Sequence, residues 1–124
     1  MSSGESQENY LETILMLSKK LPVVRSVDIA NELGFKKSSV SIAMKHLREK
    51  EHITVSDAGF ITLTASGEKI AKTIYERHEF LSNWLVSLGV SAETADEDAC
   101  RIEHDLSAES FKAIKDFVNK VTQV

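Results

Sequence analysis

The chain has 124 residues, 42% hydrophobic and 6% aromatic, with 27% charged residues and a formal net charge of −4. That length suits one compact domain, or a small head joined to a dimerisation segment, and the apolar content excludes wholesale disorder. The single cysteine cannot close an internal disulfide, no signal-like start is evident and no apolar run is long enough to span a bilayer. These features together lead us to expect a reducing, cytoplasmic setting and no membrane partner.

Met1 to Ser6 are small and polar and read as an irregular start. From Glu8 to Lys19, Tyr10, Leu11, Ile14, Leu15 and Leu17 recur at helical spacing, with Asn9 and Glu12 beside the stripe at i and i+3. Leu21 to Arg25, containing the only proline, Pro22, interrupts that helix. Ser26 is then suited to cap a short helix whose apolar face is Val27, Ile29, Ala30 and Leu33, and Gly34 to end it in a left-handed turn. A second start at Lys36 or Lys37 leads a basic helix through Glu51, with Val40, Ala43, Met44 and Leu47 on its buried face. Two short helices about a Gly-containing turn form a helix-turn-helix. The period then changes. Ile53-Thr54-Val55 and Phe60-Ile61-Thr62-Leu63 flank Ser56-Asp57-Ala58-Gly59, a β-hairpin signature, so the head reads as a winged helix. Thr64 or Ser66 can cap a long helix that keeps apolar residues in phase from Ile70 to Leu88 and stops at Gly89. Ser91 caps a further helix through Leu106. Ser107 caps a last one, with Ala108, Phe111, Ile114, Phe117, Val118 and Val121 apolar.

The expected fold is therefore mainly α. A winged helix-turn-helix domain with a two-stranded wing occupies 1–72, and an all-helical metal-binding and dimerisation domain occupies 73–124. A long helix at about 65–89 bridges the two, and the apolar surplus of the final third points to a homodimer interface.

Charge is unevenly spread. Between Gly34 and Lys50 five positive residues, Lys36, Lys37, Lys45, Arg48 and Lys50, face one negative, Glu49, so the rest of the chain carries −8. A basic head on an acidic body suits phosphate at one end and cations at the other. In a helix-turn-helix the front of the second helix meets base edges in the major groove of double-stranded DNA. Here that front is Lys36, Lys37, Ser38, Ser39, Ser41 and Ile42. Lys can donate to guanine, Ser suits several bases, and Ile42 can touch a thymine methyl. Lys45 and Arg25, with Ser26 beside it, are placed for the backbone phosphates, which hold register without reading sequence.

Cys100, Glu103 and His104 stand at i, i+3 and i+4, sharing one helix face. A thiolate, a carboxylate and an imidazole together form half of a transition-metal site. Folding could add Asn9 and Glu12 from the first helix and His78 from the long one. Two sites can be drawn: one from Asn9, Cys100, Glu103 and His104, another from Glu12, His78 and Glu103, with Glu103 bridging. The competing assignments are a surface carboxylate for Glu12, a helix-start cap for Asn9, a core or switch histidine for His78, and a packing or redox-sensing thiol for Cys100. The last would leave a winged-helix regulator with no metal response. An enzyme is not expected, since the chain lacks an H-E-x-x-H pattern and a second cluster for a substrate pocket.

The stretches NYLETILML (9–17), VRSVDIANELGFKKSSVS (24–41), LTASGEK (63–69), RHEFL (77–81) and ACRIEHDLS (99–107) resemble the metal-dependent repressors of the DtxR/MntR family along nearly the whole chain. That resemblance implies a homodimer that binds operator DNA and represses metal-uptake genes when Fe(II) or Mn(II), one or two ions per subunit, is plentiful. Other divalent transition ions could substitute in vitro. It also implies the short, manganese-type architecture without an SH3-like domain. Residue by residue, it supports Glu12, His78, Glu103 and His104 as ligands. Cys100 agrees with the iron branch, where the manganese branch has Glu. Asn9 departs from both, which carry Asp or Met. Ser82 and Asp96 stand where the iron branch's ancillary site has an acid and a His. Fe(II) is the first expectation, with Mn(II) close behind.

Overall fold

A computed structural model describes the backbone of residues 3–122 and the side chains of residues 7–122. Its elements run α1 (Ser3–Ser18), α2 (Ser26–Leu33), α3 (Lys37–Glu49), β1 (Ile53–Val55), β2 (Ile61–Leu63), α4 (Ala65–Ser87), α5 (Ala92–Asp105) and α6 (Ala108–Thr122). The chain divides into two compact units, Met1–Thr73 and Ile74–Val124, and the 23-residue α4 runs through the boundary.

The mainly α, winged helix-turn-helix expectation holds. In the first unit the stripe foreseen on α1 is buried, with Leu11 and Ile14 almost wholly so, alongside Ile29, Val40, Leu47 and Ile53 from the next three elements. α1 begins at Ser3, earlier than the apolar periodicity signals. Once a helix is nucleated, each added residue contributes a bond without needing an apolar partner. Met1 and Ser2 of the expected irregular start lie outside the described residues, as do Gln123 and Val124.

The cap of α2 differs from expectation. Ser26 is the first helical residue, and the extended Arg25 (φ −124°, ψ 164°) is the cap. The reason is local: Asp28, three residues on, accepts the Arg25 backbone N–H at 2.9 Å, which fixes the helix start one residue earlier. Gly34 closes α2 at φ 70°, and its N–H donates to the Ala30 carbonyl at 2.9 Å. α3 ends at Glu49, two residues short of expectation, because Glu51 itself turns left-handed (φ 62°).

β1 and β2 pair antiparallel with Ile53 opposite Leu63 and Val55 opposite Ile61. The turn is the one foreseen: the Gly59 N–H donates to the Ser56 carbonyl at 2.9 Å with φ 84°. Ile61 also donates to the Val24 carbonyl at 2.7 Å, tying the wing to the loop before α2. Thr64 caps α4 by accepting the Gly67 N–H at 3.2 Å. Gly67 is required by contact: a Cβ there would overlap the backbone carbonyl oxygen of His52.

In the second unit Ser91 and Ser107 cap α5 and α6 as expected, accepting from the Thr94 and Ser110 amides at 3.3 and 3.0 Å. Phe80 meets Phe111 edge-on, with ring centres 5.6 Å apart. The unit's core is small, built on Ile74, Leu81, Ala95 and Ala99. No residue of α6 is buried, and Phe117 is 67% exposed.

Candidate functional site

Two surfaces carry the chemistry anticipated above. On α3, Val40, Met44 and Leu47 turn inward, and a 3.6-residue repeat then turns Lys37, Ser38, Ser39, Ser41, Ile42 and Lys45 outward. All six are exposed, as is Lys36, the extended residue that caps the helix. Ile42, 59% exposed, contributes nothing to the core. Arg25 is exposed with its guanidinium 4.9 Å above the Phe60 ring, while Ser26 is half-buried. The wing tip, Ser56 to Gly59, carries no positive residue.

The second site lies within α4 and α5. Glu103 is a wholly buried carboxylate. Its Oε2 is 2.8 Å from His78 Nδ1. Its Oε1 lies 3.3 Å from His104 Nε2 but makes no hydrogen bond. His104 is itself nearly enclosed, its side chain 4% exposed. On the other side of the His78 ring, Nε2 is 2.6 Å from Asp96 Oδ1. The hydrogen bond that His78 donates to Glu103 is the main reason its pKa rises from 6.5 to about 9; burial opposes the shift, and Asp96 adds to it. Between these two carboxylates His78 is a cation at neutral pH, donating from both nitrogens and balancing a carboxylate that burial would otherwise penalise.

Arg77 secures this arrangement from the backbone side. Its Nη1 donates to the Glu103 and Leu106 carbonyls at 3.2 and 3.0 Å, satisfying the C-terminal end of α5, and its guanidinium lies 5.2 Å from the Phe111 ring centre.

Of the ligand candidates, His78, Glu103 and His104 come together in the second unit. Cys100, one turn before Glu103, is exposed. Asn9 and Glu12 are half-buried on α1, in the first unit. Sequence reasoning missed Arg77, whose partners are backbone carbonyls that no side-chain pattern announces. It noted Asp96 only as a departure from the family pattern; its position seven residues before Glu103, on the same face of α5, was the available signal. One carboxylate and two imidazoles, with a buried oxygen that accepts no hydrogen bond among the described residues, fit a divalent first-row transition ion.

Two family models match the chain: iron dependent repressor, N-terminal DNA binding domain, over residues 3–59, and iron dependent repressor, metal binding and dimerisation domain, over residues 64–123. Transcriptional regulator MntR of Escherichia coli O6:H1 is 36% identical over 113 residues, covering 91% of this chain and 73% of that protein. An uncharacterised HTH-type transcriptional regulator of Methanocaldococcus jannaschii is 34% identical over 119 residues, covering 94% and 95% of the two chains. The solved structure of a manganese-dependent transcriptional repressor in complex with manganese superimposes with a TM-score of 0.82 at 26% identity, covering 91% of this chain and 52% of that one. The chain thus spans about half the length of that solved repressor, and most of the length of its sequence relatives. With both halves matched in order and relatives above 30% identity along most of its length, the chain belongs to the iron-dependent repressor family, the family of the MntR transcriptional regulators.

Proposed function

We propose that this protein is a metal-dependent DNA-binding transcriptional repressor of metal homeostasis, not an enzyme, acting in the cytoplasm as a homodimer on double-stranded operator DNA. The observation that carries the reading is the wholly buried Glu103, one oxygen unsatisfied, held between His78 and His104. Residues 1–72 read DNA in this scheme, and residues 73–124 bind metal and dimerise. Lys36, Lys37, Ser38, Ser39, Ser41 and Ile42 face base edges, and Arg25, Ser26 and Lys45 hold phosphates.

His78, Glu103 and His104 would hold Fe(II) or Mn(II), with Cys100 from α5 and Asn9 and Glu12 from α1 completing one or two sites. The ion supplies the positive charge that lets several anionic and lone-pair donors converge. Occupancy by the ion would act as a population shift toward the form that fits an operator. In the ion-free chain the protonated His78 holds Glu103 in place of the ion.

The test is anaerobic titration of Fe(II) and Mn(II) against a duplex selected from random sequences for binding to the metal-loaded protein. Metal should raise affinity for that duplex, and Glu103→Ala should remove the response while leaving the helical content intact. Metal-stimulated binding undiminished in that variant would refute the proposal. The exposure of Cys100 favours one second reading, a regulator indifferent to metal and sensitive to oxidants. DNA binding that survives chelation and changes on oxidation of the thiol would favour it.

A further inference from the structure

We propose that Asp96 is a positioning residue that decides which nitrogen of His78 is offered to the cluster around Glu103. The inference rests on the metal-binding reading above and adds a residue to it.

A neutral imidazole has one N–H donor and one lone-pair acceptor, and a carboxylate can only accept. Asp96 Oδ1 lies 2.6 Å from Nε2, and Glu103 Oε2 lies 2.8 Å from Nδ1. Both carboxylates come from α5, seven residues apart on one face, so a single helix grips the ring at both ends. The two grips are not equivalent. Glu103 is wholly buried beside His104, whereas the Asp96 side chain is 68% exposed. The buried end is where a cation is wanted, and the exposed end is where a proton can stay. For Nδ1 to hold a divalent ion, its proton would have to leave to water, and the Nε2 proton would remain on its bond to Asp96. An outer carboxylate of this kind fixes the tautomer and raises the basicity of the ligating nitrogen, and its loss typically weakens metal binding about 10–100-fold.

The experiment uses the full chain in two arms. The first follows the His78 ring nitrogens by NMR in protein loaded with Zn(II), a diamagnetic stand-in for the transition ion. The second measures Mn(II) affinity by calorimetry. The parent should hold its proton on Nε2. Asp96→Ala should mix the two tautomers and weaken Mn(II) binding about 10–100-fold. Asp96→Asn, which keeps an oxygen acceptor, should restore the parent tautomer and most of the affinity. A ring unchanged by Asp96→Ala, with Mn(II) bound as tightly as by the parent, overturns the inference alone. So does an Asp96→Ala variant that loses Mn(II) with its His78 ring unchanged, which would make Asp96 a direct ligand. A parent that binds neither Mn(II) nor, under anaerobic conditions, Fe(II) overturns the metal reading and the affinity arm with it.

Discussion

Replacing Gly67 by alanine separates what helix propensity predicts from what the fold dictates. Gly67 lies in the first turn of α4, where alanine is intrinsically better by about 1 kcal/mol. In the folded chain, however, an added Cβ would overlap the His52 carbonyl oxygen and lie 2.9 Å from the carbon behind it. Both are backbone atoms with no rotamer to yield. Relief requires the start of α4 to move away from the base of the wing. Three bonds would be strained or lost: the Thr64 N–H to the His52 carbonyl at 3.0 Å, the Thr64 hydroxyl to the Glu51 carbonyl at 2.7 Å, and the Ser66 hydroxyl with His52 Nδ1 at 3.0 Å. At about 1 kcal/mol net each, their loss costs about 3 kcal/mol, offset by about 1 kcal/mol of propensity. The expected net destabilisation is about 2 kcal/mol, lowering the Tm of a unit this size by roughly 8–16 °C. Thermal denaturation followed by circular dichroism reads this directly. A variant melting at or above the parent temperature would show that the close approach carries no energetic weight. Gly34→Ala provides the contrast. Its φ is 70° and nothing lies near the added methyl, so only left-handed backbone strain of about 1–2 kcal/mol is expected.

Three further outcomes follow from the same geometry. Lys45→Ala, on the exposed face of α3 and assigned to a phosphate, should weaken DNA binding and reduce the slope of log affinity against log salt by about one; an unchanged affinity and slope would remove Lys45 from the interface. Phe117, exposed on the apolar face of α6, should be needed for self-association. Phe117→Glu is expected to shift the protein to monomer in analytical ultracentrifugation without loss of helix, and a variant that stays dimeric would place the interface elsewhere. In ion-free protein the folded His78 keeps its proton to about pH 9, against 6.5 when unfolded. Its stabilising contribution is therefore complete below pH 6.5 and is lost as pH rises through about 9. Urea midpoints in chelator should fall across that window more steeply for the parent than for His78→Gln, and parallel curves would refute the linkage.

Much of the architecture was legible in the order of residues. Periodicity on α1 and α3, the left-handed glycine after α2, and the serines before α5 and α6 are local signals whose physics acts over one or two helical turns. They placed the winged helix-turn-helix, the long α4 and the exposed basic front of α3. The i, i+3, i+4 spacing of Cys100, Glu103 and His104 likewise identified a donor-bearing stretch of helix.

Other features were set by tertiary packing alone, because they join groups distant along the chain. Spacing gave Cys100, Glu103 and His104 equal standing, yet packing encloses Glu103 and His104 and leaves Cys100 exposed. The pairing of His78 with both Glu103 and Asp96 depends on how α4 meets α5, as does the Arg77 grip on backbone carbonyls. The need for glycine at position 67 depends on the approach of the His52 backbone. A local pattern specifies which donors a helix carries. Burial and the direction of each lone pair depend on what packs around that helix, and this decides whether a carboxylate is a surface charge or a ligand.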